Sequence, residues 1–85
     1  MLQKGQVVYS AAGHDKDSFY VVVEVDRDGC CRIADGRRRG LGSPKRKNPK
    51  HLRATRSVIQ LAQIGSDRAL RRALAALRPE EMVVE

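Results

Sequence analysis

Apolar residues come as short β-branched runs in the first half of the chain and reappear near its end at helical spacing. "KGQVVYS", residues 4 to 10, predicts a strand, and "AAGHDKDS" after it predicts a loop, since Gly13 and the aspartates favour turns. In "FYVVVEV", residues 19 to 25, the alternate set Phe19, Val21, Val23 and Val25 is expected to line a core, with Tyr20, Val22 and Glu24 on the opposite face. "DRDG" then supplies Gly29 for the positive φ of a three- or four-residue hairpin loop, so "CCRIAD" should pair back and complete a hairpin over 19–35.

The following stretch holds Gly36, Gly40, Gly42, Pro44 and Pro49 and reads mostly as loop, with at most a short strand near 38–41. "HLRAT", 51–55, has the composition of another short strand. Short strands with tight loops in this number predict a mainly β protein, a small five-stranded antiparallel barrel that is closed or half-closed. Near the end, Ser66 can cap a helix and Asp67 suits the positive end of its dipole. "DRALRRALAALR" sets Leu70, Ala73, Leu74 and Leu77 on one stripe, with Arg68, Arg71 and Arg72 off it, before Pro79. An α-helix is expected at about 67–78, and "SVIQLAQIG" before it reads equally as strand or helical turn. The expected organisation is a barrel with a basic loop over 1–56 and a helical extension over 57–85.

At 85 residues there is room for one compact unit, because a chain this short buries only about 60% of its unfolded surface. With 4% aromatic residues and no Trp, the core must be built from Val, Ile, Leu and Ala. No apolar run is long enough for a membrane span, and "MLQKGQVVYSAAG" lacks the apolar centre of a secretory signal, so a cytoplasmic location is expected. Cys30 and Cys31 are adjacent, which strains a bridge between them, and His14 and His51 lie far apart, so neither a disulfide framework nor a metal site is expected.

Charge changes the picture. From Arg37 to Arg56 there are nine Lys or Arg and no Asp or Glu, so the formal +7 divides into +9 in this window and −2 elsewhere. Such a window, placed between strands and not in a tail, offers cations to a polyanion with little ordering entropy lost. Arg37, Arg38 and Arg39 can fork onto phosphate or stack on a base, whereas Lys45, Lys47 and Lys50 act as point charges. Arg46 and Arg53 complete the main candidates for RNA contact, and Lys16 and His51 are secondary ones. Tyr9 and Tyr20 are the aromatics left for base stacking once Phe19 is assigned to the core, a set small enough to favour backbone contact. His14 beside Asp15 reads as turn polarity, and "GRRRGLG" carries bulky cations where a phosphate-cradling turn needs small residues, so no enzyme, cofactor or small-molecule substrate is expected.

"GQVVYSAAGHDKDSFYVVVEV", with Gly13 at the characteristic glycine and Lys16 after it, "ADG" at 34–36 and the basic "PKRKNPKHL" at 44–52 together resemble the KOW-motif proteins. Within them the resemblance is to bacterial proteins similar to the large-subunit ribosomal proteins fourteen-e and twenty-seven-e. It covers residues 4 to about 55 and implies an SH3-like barrel of five strands that binds RNA, usually ribosomal, in a translation setting among ribosomal proteins. Two rival readings remain open. One is an SH3-like protein-interaction module whose basic loop meets an acidic partner, although such grooves are usually aromatic-lined. The other is attachment to a membrane surface through the cationic helix, which the absence of Trp or Phe from its apolar face disfavours.

Overall fold

A computed structural model describes residues 2–10 and 18–77 of the chain. Five strands, β1 (Gln6–Ser10), β2 (Ser18–Val25), β3 (Cys31–Ala34), β4 (Lys45–Lys47) and β5 (Leu52–Val58), are followed by one helix, α1 (Asp67–Ala76). The strands form one antiparallel open sheet in the order β4-β3-β2-β1-β5. A 3-10 turn at Pro49–His51 links the two edge strands, and its start is fixed by the Asn48 side chain, which accepts from Lys50 N. Strand β1 begins at Gln6 after a turn closed by Gln6 N donating to Gln3 O at 3.1 Å, and Gly5 is tied on both sides, its N donating to Val22 O and its O accepting from Ile59 N, each at 2.7 Å. The β2–β3 hairpin turns where expected, with Gly29 at φ +87° and Asp26 N bonded to Cys30 O.

The expected fourth strand near 38–41 is not one. β4 is Lys45–Lys47, a run of cations that pairs with β3 through its backbone, Ile33 opposite Lys45 and Cys31 opposite Lys47.

The expected faces of β2 also need correction, because the strand is covered on both sides and Tyr20, Val21 and Val22 are all fully buried. On one face Val8, Tyr20, Val22, Cys31, Ile33 and Leu52 make a core. On the other, Val21, Ala34 and Leu70 pack together, joined by half-buried side chains that include Val23, Ile59, Ile64 and Leu74. Tyr20 is therefore unavailable for stacking, while Phe19 is only half-buried. A bulge opposite Arg32 and Ile33 makes Val23 the extra residue of β2, so the strand's remaining end flips and Val25 comes to share a face with Cys31.

A second irregularity, in β5, sets residues 55–57 opposite Val7 alone. Its polar groups are satisfied locally: Thr55 Oγ1 donates to Val7 O at 2.6 Å and accepts from Ser57 N at 3.2 Å, and Gln6 Nε2 donates to Thr55 O at 3.1 Å.

β5 runs to Val58, and a 3-10 turn at Leu61–Gln63 leads to α1, which resolves the ambiguity over residues 57–65. Ser66 caps the helix, its Oγ accepting from Ala69 N at 3.1 Å. The helix closes at Ala76, slightly before the expected end, with Leu77 N returning to Leu74 O. Of the expected stripe, Leu70 is fully buried against the sheet, a contact that stabilises by about 2 to 3 kcal/mol. Pro79 lies outside the described residues.

Candidate nucleic-acid interface

The loop after β3 is shaped by one carboxylate. Asp35 Oδ1 accepts from the backbone N–H of Arg37 at 2.9 Å and of Arg39 at 3.0 Å, while Asp35 N and Gly36 N both donate to Arg39 O. The chain thereby closes on itself and turns Arg37, Arg38 and Arg39, all exposed, outward in succession.

The N-terminal turn of α1 holds this loop from behind. Asp67 Oδ1 accepts from Leu41 N at 2.7 Å, and Arg71, one turn further along the same helix face, donates through Nη1 to Gly36 O at 2.6 Å. Only glycine fits at position 36: its φ is +77°, and a Cβ there would lie 2.4 Å from the Asp67 carbonyl oxygen.

Beside the loop, cross-strand partners on the α1 side of the sheet form a row. Arg53 of β5 is opposite Tyr9 of β1, and Tyr9 is opposite Phe19 of β2. The two rings are tilted by 58° with centroids 5.2 Å apart, a favourable aromatic geometry. Phe19 also lines an open cleft of about 360 Å³ shared with Arg37, Arg38 and Arg71, with Leu74 and Ala75 as its apolar wall.

The remainder of the basic window is arranged differently. Arg46 pairs with Asp28 and lies 3.6 Å from Asp26, and Arg32 reaches the other oxygen of Asp26 at 3.3 Å. The Asp28 carboxyl is held below its usual range, first by the bond it accepts from Cys30 N and further by the Arg46 guanidinium. Arg46 in turn is raised above its usual value, chiefly by Asp28. Lys45 and Lys47 are half-buried on β4, and Lys50 and His51 are exposed on the 3-10 turn. The Asp26–Cys30 turn and the arginine loop flank β3 at opposite ends, roughly 10 to 13 Å apart at strand rise. The structure thus brings Arg37, Arg38 and Arg39 together, sets Arg53 on the aromatic row, and places Arg46 among carboxylates. Lys16 lies outside the described residues.

The sequence assigns Phe19 to the core and sets Arg71 only off the apolar stripe, so neither stands among the expected contact residues. The i, i+4 spacing of Asp67 and Arg71 was a usable signal that both face one neighbour, but the apolar stripe drew the reading to the other side of the helix.

Among the described residues no cluster of three or more His, Cys, Asp or Glu could hold a metal ion. Both cysteines are free thiols, and burial pushes the Cys31 thiol up, away from nucleophilic character. A second hollow, of about 640 Å³, opens near the β2–β3 hairpin, lined by Leu2, Val25, Cys31 and Leu52 among others. The acidic residue in its lining, Asp26, is engaged with Arg32. No helix among the described residues is long and apolar enough to cross a membrane. No protein-family model matches the chain, and no curated protein matches it.

Proposed function

We propose that the protein is a non-catalytic RNA-binding module of the SH3-like, KOW type, which attaches to ribosomal or other structured RNA through the Arg37–Arg39 loop. The observation that carries the proposal is the anchoring of that loop. Its backbone N–H groups are taken up by Asp35 and Asp67, and Arg71 clamps it to α1, so three exposed guanidiniums stand together on a fixed support. Phosphates can then be met without first ordering the chain. The strand order β4-β3-β2-β1-β5, with a 3-10 turn between the outer strands, supports the SH3-like reading. Support for the KOW assignment comes from the quoted motif residues, of which Gly13 and Lys16 lie outside the described part.

Binding of a structured RNA followed against salt concentration tests this. With about five phosphates neutralised, log affinity should fall against log salt with a slope of roughly −3.5 to −4.5. A flat response removes the proposal. Polyglutamate competing as well as RNA does at equal charge would favour an acidic protein partner.

A further inference from the structure

We infer that the cleft beside Phe19 is a subsite for one unpaired nucleotide of RNA, its base laid against the Phe19 ring and its phosphate held by Arg37, Arg38 and Arg71. The inference rests on the RNA-binding reading and adds which form of RNA is taken and where.

The cleft has two kinds of wall. Phe19, Leu74 and Ala75 are apolar, and three arginines line the same space. A ligand that fits must carry an apolar, flat portion directly beside an anion, which is the composition of a nucleotide. The one acidic residue in the lining, Asp35, has its Oδ1 turned to two backbone N–H groups and is outnumbered by the three arginines, so the lining is positive on balance.

Phe19 is prepared for such a contact. Tyr9 packs against it at a tilt of 58°, which restrains the ring while leaving it half-exposed. Arg53, on the other side of Tyr9, extends the cationic border and would meet the neighbouring phosphate. Arg71 spends one donor on Gly36 O, which fixes the guanidinium and leaves the rest of its five N–H groups for a ligand. A paired base cannot reach Phe19, because in an A-form duplex its faces are stacked on its neighbours. The subsite therefore distinguishes single strands and loops from helices.

The chain has one Phe, so its ring proton signals are unique and report on this cleft directly. Titrating the full chain with single-stranded hexa-adenylate should move those signals upfield, through the ring current of a stacked adenine, and an RNA duplex of equal charge should leave them in place. Phe19→Leu should weaken hexa-adenylate binding about tenfold and leave duplex binding unchanged. Unmoved Phe19 signals, or equal affinity for single strand and duplex, overturn the subsite while RNA binding itself stands. Failure of both RNAs to bind overturns the functional reading as well. If Phe19→Leu does not fold, the signals of the unaltered protein decide. A shift of equal size with polyglutamate also sinks the inference.

Discussion

Two cationic stretches of one window, Arg37–Arg39 and Lys45–Lys47, have similar composition and different fates. Near the first, Asp35 and Asp67 accept from backbone N–H groups, and among the described residues none of the three guanidiniums has a carboxylate partner. Near the second, Asp26 and Asp28 take Arg32 and Arg46 themselves, so part of the positive charge is cancelled where it stands. A carboxylate turned to backbone N–H groups alone leaves neighbouring cations available, whereas one that also reaches a side chain, as Asp28 does while accepting from Cys30 N, removes a cation from use. The Arg46–Asp28 pair is itself about half-exposed and contributes little to stability.

The largest effect expected from separating the two regions is on stability. Gly36→Ala forces a Cβ against the Asp67 carbonyl at a φ of +77° and should cost about 3 kcal/mol or more, a large share of a small domain's total. Gly29→Ala, in the hairpin at φ +87° with open space around it, should cost only about 1 kcal/mol. Urea midpoints measure both, and equal losses would mean that α1 does not brace the loop.

Next comes binding. Replacing Arg37, Arg38 and Arg39 by Ala should shrink the salt slope by about 2 to 3 and weaken RNA binding between tenfold and a hundredfold, while Arg46→Ala should change affinity less than about threefold. The reverse order would transfer the interface to the hairpin end.

A smaller and more discriminating effect is expected at Asp67→Ala, which adds a net positive charge yet removes the acceptor for Leu41 N. About 1 kcal/mol of stability should go, and RNA affinity should fall despite the added charge. Tighter binding would show that charge count matters more than loop shape.

The smallest effect is the titration of Asp28. Its carboxyl in the folded protein lies below the ordinary 3.8, so the stabilisation tied to its charge is complete above that pH and fades only as pH falls through the lower folded value. The Cys30 amide shift should therefore titrate with a midpoint below 3.8, and Arg46→Ala should bring it only part of the way back, because the Cys30 N–H bond is the larger cause. A midpoint unmoved by that change would remove Arg46 from the account.

The strands β1, β2, β3 and β5, the Gly29 turn and the capped helix were legible because each carries a local signature: β-branched runs, a turn glycine, or a serine before an apolar stripe. β4 was not, since Lys45–Arg46–Lys47 has no apolar pattern and owes its extended form to the edge of β3. The faces of β2 misled because alternation predicts one buried side: Val21 and Val23 do face α1, but Tyr20 and Val22 are buried on the other side against Val8, Cys31, Ile33 and Leu52. Clustered charge did mark out Arg37–Arg39. The bracing of that loop by Asp67 and Arg71 depends on contacts 26 and 35 residues apart in the chain, which no local pattern records.

The seam between Gly36 and the first turn of α1 makes the arginine loop poor material for transplantation. A shortened chain ending after β5 would keep the Asp35 closure of the loop but lose both of its ties to the helix. Anyone borrowing the motif for another scaffold would have to import Asp67 and Arg71 with it.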